Sequence, residues 1–327
     1  MTRFAMRELA RFALLMLAVS LATFALVSVS PIDPVQANVG QQALVSMSAE
    51  KRAQLTAHWG AGVPFWERYG TWLDGVLHGD WGMSLRFNAP VEHVVGERFA
   101  NSIALMAVAW LLAGALGLIV GVASGAREGS LTDRILRRGC IALSSIPSFW
   151  VGIVALMVFC VWLGWFPLGF SAPIGVASDE ATLFERIHHM VLPALVLSLT
   201  GMPAVALHTR EKAIDVMASD YARFAKARGE SDVQVLLRHG LRNIALPALT
   251  LQLANVGEVF GGSVLVEQVF SYPGLGQAAV TAGLGGDAPL LVGIALASAA
   301  FVFAGTTLAN ILYRVIDPRL AMGVPNG

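Results

Sequence analysis

The chain has 327 residues, 56% of them hydrophobic and only 13% charged, with a mean hydropathy of +0.65. A soluble domain carries about 25% charged residues, so lipid is the expected solvent, and a disordered chain, a coiled coil or a free cytosolic enzyme is excluded. Twenty-two basic residues balance 22 acidic ones, which leaves no electrostatic footprint for nucleic acid.

A spanning helix needs about 20 residues with few or no charges. The stretches 12–32, 99–126, 187–209 and 288–313 contain no Asp, Glu, Lys or Arg. So does 139–178, which breaks at Trp165-Phe166-Pro167 and predicts a third span over 140–163 followed by a loop. Cys140 and Cys160 then fall on one helix about 30 Å apart and cannot bridge each other. A further apolar stretch, 244–267, is interrupted by Glu258. The first helix, 9–29, follows Arg3, Arg7 and Arg11 like a signal peptide, but its apolar core is too long, so a retained anchor is expected.

Basic residues orient these spans. With the N-terminus inside, the inner segments hold Arg3, Arg7 and Arg11; Arg127, Arg134, Arg137 and Arg138; seven between 210 and 242; and Arg314 and Arg319. Most of the others lie in the long 30–98 loop, where the positive-inside bias is weak. The fold class expected is an all-α polytopic membrane protein with six transmembrane helices, N-in and C-in. The domains expected are an anchor helix (1–30), an outer, periplasmic loop (31–97), a five-helix membrane domain (98–313) with an inner loop at 209–243, and a tail (314–327). In the outer loop His58, Trp59, Trp66, Tyr69, Trp72 and Trp81 suggest an interfacial aromatic belt with a small folded cap.

Several chemistries are missing. None of the three lysines (Lys51, Lys212, Lys226) follows a glycine, so no phosphate-cradling G-x-x-x-x-G-K-[ST] loop exists. There is no H-E-x-x-H, C-x-x-C or G-x-S-x-G. His188-His189 reads as a solvated interfacial pair in preference to a metal ligand, and no metal site or catalytic residue is expected. Energy for any transport would come from a partner or an ion gradient.

The 209–243 loop is the most informative segment. Ser219-Asp220 offers an N-cap, 221–228 reads as helix, and Gly229 stands where a left-handed C-cap belongs. Ser231-Asp232-Val233-Gln234 is a capping box for a second helix. Tyr221, Phe224 and Ala225 form a small apolar face on a helix too short to be stable alone. It would lie on anionic lipid with Arg223, Lys226 and Arg228 outward, or sit in a cleft of a soluble motor subunit.

Ala225-x-x-x-Gly229 followed by Ile244-Ala245-Leu246-Pro247 resembles the EAA signature of ATP-binding-cassette (ABC) importer permeases. The longer string from Asp220-Tyr221-x-Arg223-x-Ala225-x-Ala227-x-Gly229 to Leu237-Arg238-His239-x-Leu241-Arg242-Asn243 is similar to the dipeptide, oligopeptide and nickel branch. So are Gly79-Asp80-Trp81-Gly82-x-Ser84, Ser145-Ile146-Pro147-Ser148-Phe149-Trp150, the run Phe270-Ser271-Tyr272-Pro273-Gly274-Leu275-Gly276, and Asp317-Pro318-Arg319. Arg223 at the first EAA position fits that branch, whereas Glu230 after the glycine departs from it.

The resemblance implies a type I, MetI-like permease core in the bacterial inner membrane, and a non-catalytic subunit without a cofactor of its own. Two permeases, expected to be a heterodimer, would form the channel. Two ATPases carrying ATP and Mg would grip the inner loops, and an external solute-binding protein would deliver substrate. Asp220, Tyr221, Arg223, Phe224, Ala225, Ala227 and Gly229 would form the coupling helix. Di- and oligopeptides are the first substrate expectation and nickel or a metal chelate the second. An ion-gradient transporter is a remote alternative, because no inverted repeat or set of paired intramembrane charges is visible.

Two features lie within the spans. Gly117, Gly121 and Gly125 recur every four residues, a spacing that lets helices approach closely; packing within one subunit is preferred over a seam between permeases. Glu258 lies about 14 residues into the fifth helix, where an ionised acid costs about 2.5–3.5 kcal/mol. Gln252, Asn255 and Glu258 follow at three-residue steps. That side either lines the translocation path, with Glu258 meeting a cationic group of the substrate, or holds helices together through a hydrogen-bonded acid.

Overall fold

A computed structural model describes residues 2–30, 47–48, 50, 63–173, 175–176 and 180–316. His58, Trp59, Lys51 and the Asp317-Pro318-Arg319 ending lie outside the described residues. The chain divides into two compact units: residues up to Ser102 together with Pro273–Phe303, and Ile103–Tyr272 together with the chain from Ala304.

The first unit contains α1 (Thr2–Val29), α2 (Phe65–Leu77), a two-residue hairpin of β1 (Met83–Ser84) and β2 (Ala89–Pro90), the opening turns of α3 (Val91–Gly125), α11 (Leu275–Gly285) and most of α12 (Ala288–Ile316). β1 and β2 pair antiparallel, Met83 opposite Pro90 and Ser84 opposite Ala89. Asp287, fully buried, holds this hairpin. Its carboxylate accepts from Ser84 Oγ (2.7 Å) and the Arg86 N–H (3.0 Å), and also caps α12 by accepting from the Leu290 N–H (3.2 Å). α11 is docked by Ser102 Oγ, which accepts from the Leu275 N–H at 2.8 Å. The sequence pattern misses α11, because eleven residues are too few to span a membrane. It also starts the second span at 99; the helix begins at Val91 and carries Glu92, Glu97 and Arg98 beyond the apolar stretch.

The second unit holds the rest of α3, α4 (Leu131–Ser145), α5 (Ser148–Ala155, running on as a π-helical stretch Leu156–Trp162), α6 (Leu183–Met217), α7 (Asp220–Ala227), α8 (Asp232–Val235, running on as π helix through Gly240), α9 (Leu241–Ala254) and α10 (Val256–Val269). Leu105, Leu192, Val196, Val266 and Phe270 centre its core. The expected third span over 140–163 is not one helix. Pro147 forces Ile146 into extended geometry (φ −99°, ψ 126°), and α4 and α5 meet at 104°. Cys140 and Cys160 are therefore buried on different helices. The fifth stretch is also bent, by 57° at Asn255 between α9 and α10. His189 is not solvated: it is 8% exposed, with Nδ1 2.6 Å from the Gly169 carbonyl oxygen, while His188 is half-buried near the Trp165 carbonyl.

Four described helices are long and apolar enough to cross a membrane: α1 from Met6, α3, α6 and α12 to Ala309. If each bent pair is one span, there are up to six.

Gly117, Gly121 and Gly125 seat α3 on α6. A Cβ added at Gly117 would stand 2.7 Å from Val205 Cβ, and one at Gly125 2.6 Å from Ala213 Cβ; at Gly121 it would collide with Thr209 and the Ala206 carbonyl. No side chain fits this seam, which is why the stripe is glycine.

Candidate coupling and translocation sites

α7 is built as its residues dictate. Ser219 Oγ accepts from the Ala222 N–H, capping the helix, and Gly229 ends the turn at φ +91°, a left-handed conformation that costs glycine little. The Ser231–Gln234 capping box then starts α8. Two sides of α7 differ. Ala222 and Ala225 are buried against Val235 with Met217 beside them. Of the three apolar residues expected on one face, only Ala225 turns inward; Tyr221 and Phe224 remain 42% and 67% exposed. Small inward residues let α7 lie close to α8, and its bulky aromatics point away.

Polar contacts fix α7 further. Arg223 Nη2 donates to the Ala218 carbonyl (3.1 Å), Asp220 stands 3.5 Å from Arg223, Lys226 pairs with Asp232 at 2.9 Å, and Asn243 Nδ2 donates to Tyr221 Oη at 3.3 Å. Ala227 is exposed in the last turn. Glu230 finds a local partner, with His239 Nε2 3.1 Å from its carboxylate.

An ion pair that the sequence pattern does not reveal joins α6 to the α3–α4 turn. Arg210 donates through Nε (2.6 Å) and Nη2 (2.8 Å) to both oxygens of Asp133, which also accepts from Ser124 Oγ (2.6 Å) and the Gly129 N–H (2.9 Å). The two side chains are 13% and 4% exposed. Among four arginines between 127 and 138, Asp133 is one of two acids in the loop; its buried position needs the fold to be seen.

Gln252, Asn255 and Glu258 line one cavity of about 310 Å³, together with Trp110, Ser144, Ser148 and Thr200. Gln252 is committed elsewhere: its Nε2 donates to the Trp110 carbonyl (2.6 Å), and Trp110 Nε1 donates to the Gln252 carbonyl (2.9 Å). Glu258 is not deep in a continuous helix. The break at Asn255 puts it in the first turn of α10, where the free N–H groups favour a negative charge. Its carboxylate is exposed to the cavity and has no hydrogen-bond or ion-pair partner among the described residues. No group of three or more His, Cys, Asp or Glu among the described residues could hold a metal ion.

These features define a polytopic helical membrane protein with a capped helix–glycine–helix knob and an acid-bearing cavity. Residues 115–322 match the family described as the binding-protein-dependent transport system inner membrane component, and residues 1–108 match its N-terminal companion family. The chain is 34% identical to the oligopeptide transport system permease protein AppB of Bacillus subtilis over 94% of this chain and 95% of that protein. It is 31% identical to the dipeptide transport system permease protein DppB of Escherichia coli over 98% and 99%, and 32% identical to the di/tripeptide transport system permease protein DppB of Pseudomonas aeruginosa over 92% and 94%. The chain belongs to the binding-protein-dependent inner-membrane permease family: it is a membrane subunit of an ABC importer.

Proposed function

We propose that this permease forms half of the channel of an importer of di- and oligopeptides, beside a sister permease, two ATPases on the inner side and an external binding protein. The relatives named above are peptide permeases, which favours peptides over nickel. Six spans with both termini inside suit the basic-residue distribution and the two bent pairs. The domain limits 1–30, 31–97, 98–313 and 314–327 follow from that topology.

The observation that carries the reading is α7, whose small residues face in while Tyr221 and Phe224 stand exposed. In this reading Asp220–Gly229 is the coupling helix. ATPase closure moves it, and the motion passes through Arg210–Asp133 and the α3–α6 glycine seam to rock the spans. Gln252, Asn255 and Glu258 face the path. Gln252 stiffens the wall, and the unpartnered Glu258 carboxylate meets the ammonium of a passing peptide.

Uptake in proteoliposomes holding the whole importer tests this. ATP-dependent, vanadate-sensitive accumulation of a dipeptide that requires the binding protein is expected. Vanadate-insensitive uptake driven by an ion gradient, or uptake of nickel without peptide, would overturn it.

A further inference from the structure

α2 falls in the stretch between the first two spans that the sequence reads as a soluble loop, yet its contacts lie beside apolar helix. Tyr69 Oη is 2.9 Å from Ser20 Oγ, Arg68 Nη2 donates to Ser28 Oγ at 2.7 Å, and the Phe24 ring lies 5.5–6.1 Å from Phe65, Tyr69 and Trp72. Val292 and Leu296 of α12 complete the cluster. All of these partners lie inside the apolar windows Met6–Val29 and Ala288–Ala309. At 1.5 Å per residue, Phe24 is about 7 Å and Ser20 about 14 Å below the end of α1, while Val292 is about 6 Å and Leu296 about 12 Å into α12. Two independent helices thus place α2 at the depth of an interfacial amphipathic helix, about 5–10 Å into the headgroup boundary.

The contacts also fix which way α2 faces. Arg68 reaches Ser28 near the end of α1, and Tyr69, about 100° further round, reaches Ser20 deeper down. Continuing the same rotation brings Trp66, Gly70 and Leu77, so this flank points toward the membrane interior. Trp66 and Leu77 are 70% and 76% exposed, the Trp66 ring standing edge-on to Phe65 with centroids 4.8 Å apart. Glu67, Thr71 and Asp74, exposed, lie opposite the packed face, at the level of the headgroups. We infer that α2 is a lipid-seated anchor: its Trp66–Leu77 flank contacts acyl chains of the leaflet at the C-terminal end of α1, and its polar side meets zwitterionic headgroups.

Nitroxide-labelled cysteines report this in the assembled importer reconstituted into phosphatidylcholine–phosphatidylethanolamine vesicles. Trp66→Cys and Leu77→Cys are compared with Glu67→Cys and Thr71→Cys. All four positions are exposed, and the native Cys140 and Cys160 are buried, so mock-labelled wild type sets the background. Gly70→Cys, with open space around its Cβ, replaces either apolar site if that variant fails to assemble. The ratio of collisions with oxygen to collisions with a water-soluble nickel chelate is expected to be several-fold higher at 66 and 77 than at 67 and 71. Equal, chelate-dominated values at all four positions would make α2 an aqueous cap and overturn the inference. Shielding from both reagents at 66 and 77 would mean that protein covers the flank, and would overturn it too.

Discussion

A few side chains carry the fold and the proposed transport path, and each has a measurable consequence. Arg210 and Asp133 form a buried pair with every acceptor used, and removing one partner of such a pair costs about 3–5 kcal/mol. Arg210→Met should lower the thermal stability of the purified permease sharply, whereas Arg134→Met, on an arginine that donates to the Gly129 carbonyl from an exposed position, should change it little. At the glycine seam, Gly121→Val forces α3 off α6 and should cost about 1–3 kcal/mol, or block assembly. Gly283→Ala, with nothing within 4 Å of the added Cβ, should leave stability unchanged or raise it. Glu258 belongs to function: Glu258→Gln should assemble normally but slow uptake and alter substrate preference, and unchanged transport would remove it from the path. Glycine spacing and the isolated acid were readable from the sequence. The burial of Asp133 was not, because a single Asp among arginines looks the same whether it is solvated or locked.

At the scale of elements, local signals translated well wherever caps set the boundary. Ser219, Gly229 and the Ser231–Gln234 box stop and start α7 and α8 where the pattern requires. Ser219→Ala should therefore loosen α7 by about 1 kcal/mol, and Gly229→Ala by about 1–3 kcal/mol through its positive φ, both visible as faster backbone amide exchange in 220–228. Hydropathy marks the apolar runs but not where they bend. Pro147 breaks one run into α4 and α5, and Asn255 breaks another into α9 and α10, so each is a bent pair of helices and not one straight helix. The second break explains how an acid is tolerated: Glu258 sits at a helix start and not in the middle of one. α11 and α2 escaped the pattern for the opposite reason, being too short or too polar to register as spans while relying on neighbours for their stability.

For the whole molecule, a membrane subunit of the binding-protein-dependent permease family, whose sequence holds no phosphate-cradling loop, needs a place where an energy-supplying partner can push. The exposed aromatics of α7 are that place in this account, joined through α6 and the Arg210–Asp133 pair to the helices around the cavity. Phe224→Asp should leave the permease folded, since the side chain is 67% exposed, yet abolish binding-protein-stimulated ATP hydrolysis in the assembled importer. Crosslinking from Phe224→Cys in the native complex puts the question most directly. Capture of a nucleotide-binding subunit is expected, with a yield that changes between nucleotide-free and vanadate-trapped states. A cysteine that labels with lipid-soluble reagents and never captures that subunit would contradict it.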